Sequence, residues 1–127
     1  MVLPAKATVE AAPNFLTNLE AAHQFFIIQD EVSATSRLGK LKAELREMVQ
    51  ILAWSPGGGR PARFFAAKSA QTRIKTEKVK QLAEQAGLPD LREYVIGQHS
   101  VLYAHSATKI VLLALKHQRQ LTYSANA

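Results

Sequence analysis

The chain has no cysteine, so neither a disulfide nor a thiolate metal site can form within its 127 residues. It also has no apolar run near the roughly 20 residues needed to cross a bilayer. Met1 to Pro13 lacks the basic-then-apolar order of a signal peptide, so the expectation is a soluble, cytoplasmic protein with no membrane partner. No internal repeat or low-complexity tract divides the chain, and the length suits one domain covering 1–127. A domain of this size buries roughly two-thirds of its unfolded surface and holds a core without cross-links.

Acidic residues are scarce in one half only. Residues 1–56 carry five Lys/Arg against six Asp/Glu, whereas residues 57–127 carry eleven against four. The formal charge of +6 therefore belongs to the second half. A field of that sign attracts nucleic acid, an acidic protein or an anionic surface, although it also serves simply to keep a domain soluble.

The hydrophobic pattern predicts a short first strand over Lys6 to Glu10 and a helix opening at Pro13-Asn14, with Asn14 as N-cap. Phe15, Leu16, Leu19, Ala22, Phe26 and Ile27 then mark one side of a helix running to about Asp30. Ser33 to Ser36 reads as a break. A second helix follows, striped by Leu38, Leu41, Leu45, Met48, Val49 and Leu52. Two amphipathic helices joined so closely form an antiparallel hairpin that covers a core or receives a partner helix.

Ser55 to Pro61 is a loop. Its three glycines do not make a phosphate-binding loop, because a helix precedes them and Arg60-Pro61 follows where Lys-Ser/Thr is needed. No cofactor and no metal is expected. Arg60 and Arg63 flank Phe64-Phe65, a pairing that suits either nucleic-acid contact or a core position. A third helix spans roughly Gln71 to Ala86, with Ile74, Val79, Leu82, Ala83 and Ala86 inward, and ends at Gly87-Leu88-Pro89.

Leu91 to Ile96, Val101 to Tyr103 and Lys109 to Arg119 then read as three strands of an antiparallel meander, followed by Tyr123. The fold class is α+β, with the hairpin on one face of a small, mainly antiparallel sheet. His117 and Arg119 are two apart, so on a persisting strand they share a face with Leu113 and Leu115. A His at the rim of a core beside an Arg has its pKa lowered and becomes a reasonable general base. The plainer alternative is a solvated strand end. Tyr103 suits packing or partner contact, His23 a semi-buried helix position and His105 a turn.

The ordered combination of helix pair, Gly-Arg-Pro connector, Leu-Arg-Glu-Tyr-Val-Ile, Val-Leu-Tyr and Ile-Val-Leu-Leu-Ala-Leu-Lys-His-Gln-Arg resembles the RelE/ParE superfamily of type II toxin–antitoxin systems. The resemblance covers about Ala5 to Tyr123 and is sharpest over Ile110 to Tyr123, where it is similar to the ParE-like branch. It implies a small basic toxin neutralised by a cognate acidic antitoxin that folds as it wraps the toxin. One branch of the family poisons DNA gyrase by binding. The other cuts mRNA on the ribosome, which needs a base for the 2′-hydroxyl, cations on the phosphate and an acid for the leaving oxygen.

For cutting, the resemblance implies a reduced set of Arg92, His117, Arg119 and Tyr123. Ser100, with His99 beside it, stands where many nucleases of the family carry Arg, and a hydroxyl cannot replace a guanidinium on a phosphate. For target or antitoxin binding the candidates are Arg60, Arg63, Arg92, Tyr103, Lys116, His117 and Arg119. The expectation is thus a growth-inhibiting toxin acting on gyrase. The alternatives are a ribosome-dependent mRNA endoribonuclease and a general basic nucleic-acid-binding domain.

Overall fold

The computed structural model describes residues 6–62, 70–120 and 123–125. Two layers of helix enclose a five-stranded mixed sheet in an α+β arrangement. The elements are β1 (Thr8–Ala11), α1 (Pro13–Gln29), α2 (Glu31–Trp54), β2 (Arg60–Pro61), α3 (Ala70–Ala86), β3 (Asp90–Ile96), β4 (His99–His105) and β5 (Lys109–His117). The sheet order is β1-β5-β4-β3-β2, with β1 parallel to β5 and every other pair antiparallel. Gly97, at φ 49°, makes the tight turn of the β3–β4 hairpin, a conformation open to glycine at little cost.

Two helix boundaries differ from the sequence pattern. Asn14 is not the N-cap of α1; Ala12 is, because Pro13 takes the first helical position. The hairpin turns at Asp30, not at Ser33 to Ser36. Asp30 has an extended backbone and its carboxylate accepts from the Val32 N–H at 3.1 Å, so the serines fall inside α2.

Phe15, Phe26, Leu41, Leu45, Met48 and Leu52 of the hairpin pack on Val101, Tyr103, Ile110, Leu112 and Leu115. On the reverse face Val79, with the half-buried Leu82, Ala83 and Ala86 of α3, meets Leu102, Ala104, Leu113 and Ala114. Leu16 and Ile74, expected inward, are instead more than half exposed.

A bulge in β5 has consequences for the far end of the strand. Leu102 pairs with Ala114 but Tyr103 pairs with Leu112, which leaves Leu113 as the extra residue. Leu113 therefore joins the α3 side while Leu115 and His117 point to the hairpin side, so Leu113 does not share the face of His117 as strict alternation predicts. Two asparagines of α1 bond to the disrupted ladder. Asn14 Nδ2 donates to the Leu113 carbonyl at 3.0 Å, and Asn18 Oδ1 accepts from the Leu115 N–H at 2.9 Å. Asn14 also donates to the Ser124 carbonyl at 2.9 Å, which ties down the chain after β5.

Among the described residues no helix is long and apolar enough to cross a membrane.

Candidate functional site

The register of the β-meander sets His99 directly opposite His117. Both rings project toward the hairpin, where they meet edge to face with centroids 5.2 Å apart. The His99 ring also lies edge to face with Phe26 of α1 at 6.1 Å, and the Arg37 guanidinium of α2 lies over the Phe26 ring at 4.2 Å. Arg37 is held there by a hydrogen bond to Gln29 Oε1 at 2.9 Å. Arg37, Phe26, His99 and His117 thus form a continuous wall.

That wall borders a cleft of about 600 Å³ between the C-terminal half of α1, the start of α2 and the ends of β4 and β5. Its lining includes Phe25, Arg119 and three glutamines, and no Asp or Glu among the described residues. Beyond the cleft, α1 and α2 expose Ile28 and Val32 at 82% and 94%, an apolar tip beside a cationic hollow.

Burial lowers the pKa of His99 to about 4, helped by the charges of His117 and Arg37. His117 is lowered too, by burial first and then by Arg119, Arg37 and Lys116. The backbone N–H of Arg119 donates to His117 Nδ1 at 3.1 Å. A neutral His117 therefore carries its proton on Nε2, and its only lone pair is already engaged. The ring offers the cleft a donor, not a free base.

His117 and Arg119 are the only two of the four cutting candidates that come together. The strand ends at His117, so Arg119 reaches the cleft from the following turn and not from the strand face. Arg92 pairs with Tyr103, four residues along β4 from His99, which is about 13 Å at strand rise. Its Nη1 donates to the Gly59 carbonyl at 3.0 Å. Tyr123 lies on the reverse face, where its hydroxyl donates to Glu93 Oε2 at 2.9 Å.

The binding candidates divide in the same way. Arg60 is half exposed and bonded to Glu93 Oε1 at 2.7 Å. Arg63 lies outside the described residues, as do Phe64 and Phe65. Two of the binding candidates are turned inward: Tyr103 is wholly buried, and Lys116 is 8% exposed. Tyr103 is enclosed because its hydroxyl clamps the connector, donating to the Pro56 carbonyl and accepting from Gly59 N–H, both at 2.8 Å. The Lys116 ammonium turns inward over the Tyr123 ring at 5.4 Å and donates to the Gln120 carbonyl.

No protein-family model matches the chain, and no curated protein is similar enough to count as a relative.

The cleft contains two residues that the sequence pattern did not single out as functional, His99 and Arg37. A signal for His99 was present: pairing across the Gly97-Gln98 turn sets it opposite His117. Arg37 had none, because Ser33 to Ser36 reads as a break and hides the first turns of α2. His105 is no turn residue but the buried end of β4, its ring 5.8 Å from that of Tyr103. His23 is 30% exposed in its side chain, with Nδ1 3.9 Å from Glu20. Among the described residues no three His, Asp or Glu side chains group in a way that could hold a metal.

Proposed function

We propose that this chain is the toxin of a type II toxin–antitoxin module with a RelE/ParE-like fold, of the ParE-like branch. It is neutralised by an acidic antitoxin and arrests growth by binding an essential target, DNA gyrase. The observation that carries binding over cutting is the hydrogen bond from Arg119 N–H to His117 Nδ1, which leaves the ring without a free basic nitrogen. Two more of the cutting set are committed elsewhere, Arg92 to the connector and Tyr123 to Glu93. What remains accessible is a surface for contact: Arg37 and Arg119 around the cleft, with Phe25, Ile28 and Val32 beside it. Exposed apolar groups next to unopposed cations suit an amphipathic acidic segment.

Brief expression in bacteria, with transcripts and DNA followed together, tests the reading. Growth arrest with a DNA-damage response and intact transcripts is expected, relieved by co-expression of the acidic reading frame beside the gene. Purified chain should inhibit gyrase supercoiling. Codon-linked mRNA cleavage on ribosomes without DNA damage would assign an interferase instead. Nucleic-acid binding with neither effect would assign a general basic binding module.

A further inference from the structure

The cleft has features that contact with a macromolecule does not require. At about 600 Å³ it lies within the size range of small-molecule sites, and it is set between α1, α2 and the sheet, with the turns at Gln98 and Arg119 closing one side. Its lining combines Arg37 and Arg119 with aromatic rings and includes no Asp or Glu among the described residues. The Arg119 guanidinium has no hydrogen-bond or ion-pair partner among the described residues.

His99 makes the stronger case. It is only 8% exposed and lines the cleft, yet its ring makes no hydrogen bond to any described residue. Its ring nitrogens are not among the sealed, unpartnered polar atoms, which among the described residues are Arg92 Nε and His105 Nε2, so they remain open to the cleft. With its pKa at about 4 the ring is neutral near pH 7, so it presents one donor and one acceptor. His117 adds a donor from Nε2, since its Nδ1 is taken. Phe25 supplies an apolar face that is half exposed.

A single ligand that answers all of these carries an anion for the two guanidinium groups and a flat ring for Phe25. It also needs a polar ring edge that both donates and accepts for His99. We propose that this cleft binds a nucleoside monophosphate, with the phosphate on Arg37 and Arg119 and the base between Phe25 and the His99–His117 pair. Guanidinium groups bind phosphate through forked, charge-assisted hydrogen bonds, and a base stacks on an aromatic side chain whatever its identity. An acidic peptide satisfies the cations but provides no flat polar edge for His99.

The test is calorimetric titration of the full chain with AMP, adenosine, ribose 5-phosphate and inorganic phosphate, followed by NMR of the histidine ring protons. AMP should bind at least about tenfold more tightly than any of the three fragments, because it engages both ends of the cleft. It should shift the His99 and His117 signals. Arg119→Gln and Phe25→Ser should each weaken AMP by about tenfold, while Lys42→Gln on the exposed side of α2 leaves it unchanged. Arg119 and Phe25 are both exposed, so these variants keep the fold, and the ring signals report occupancy without any variant.

The proposal is overturned if AMP does not bind, if phosphate alone binds as well as AMP, or if Arg119→Gln and Phe25→Ser bind AMP normally. Binding of an acidic peptide to a cleft that ignores AMP would overturn it too and assign the hollow to a protein segment. The site does not depend on the toxin reading. Growth arrest by a chain that ignores AMP removes this proposal alone, and AMP binding by a chain that arrests nothing removes the toxin reading alone.

Discussion

Gly59 lies directly beneath the phenol of Tyr103. Its N–H donates to the Tyr103 hydroxyl at 2.8 Å, and a Cβ added at Gly59 would stand 2.7 Å from that oxygen and 2.5 Å from the Glu93 carbonyl oxygen. The same hydroxyl donates to the Pro56 carbonyl, so one buried side chain of β4 fixes the whole connector between α2 and β2. Of the three glycines in this loop, Gly59 is the one required by a close approach of the loop to the sheet.

Gly59→Ala should destabilise the chain by about 1–3 kcal/mol, because Tyr103 and the β3 backbone have no room to move aside. Gly39→Ala, where nothing lies within 4 Å, should be neutral or slightly stabilising. Urea midpoints of the two variants check the contrast, and equal effects would refute the close-approach argument.

Asn18→Leu should cost about 1–3 kcal/mol, since it leaves the buried Leu115 N–H without its acceptor at the bulge. The loss should appear in hydrogen exchange as faster exchange at Leu115. Protection of that amide equal to the parent's would mean that the asparagine does not sustain the bulge.

The reverse face depends on Glu93, which is 3% exposed and accepts from both Arg60 and Tyr123. Tyr123→Phe removes one of these bonds and should cost about 1–2 kcal/mol. It should also release the segment around residues 123–125, so limited proteolysis should remove the carboxy-terminal end faster than in the parent.

Acid should weaken the fold through His99. The folded pKa of about 4 lies below the ordinary 6.5, so the unfolded chain takes up a proton that the folded chain refuses. The contribution is complete above about pH 6.5 and is lost as the pH falls toward 4. It amounts to about 3 kcal/mol in full, of which most falls between pH 7.5 and 4.5. Urea denaturation of the parent and of His99→Gln at pH 7.5 and 4.5 measures it, and the variant should lose less stability across that interval. Parallel losses would show that His99 does not titrate between the two states.

On the toxin proposal, Arg119→Ala should weaken the complex with the proposed antitoxin about tenfold or less and reduce its salt dependence, with little change in thermal stability, because the side chain is exposed. Surface plasmon resonance between 50 and about 300 mM salt reads both effects, since exposed charges are screened over roughly 8–10 Å. A complex indifferent to both salt and Arg119 would place the interface on the apolar tip at Ile28 and Val32.

Much of the architecture was legible in the residues. The aliphatic runs of β3 to β5 and the Leu41-Leu45-Met48-Leu52 stripe carry a period that burial enforces, and both occur where the pattern put them. Capping was less legible. Asn14 and the serines after Asp30 are good caps in isolation, but Pro13 opens α1 at its first helical position, which leaves Ala12 as the cap, and Asp30 caps α2. Of the cleft, His117 and Arg119 were singled out, His99 was within reach of a hairpin-register argument, and Arg37 was not legible, because it meets the others only across elements.

Composition and periodicity alone determined an α+β domain, free of cross-links, with its positive charge concentrated in the second half. Those properties follow from local sums and from repeats of two and 3.6 residues. Only the tertiary structure decided which cations stay free. The bulge at Leu113 rotates the end of β5, the register sets His99 against His117, and Glu93 and Gly59 draw Arg60 and Arg92 into internal bonds. Each of these depends on partners far apart along the chain, and the order of the residues does not show which of them will meet.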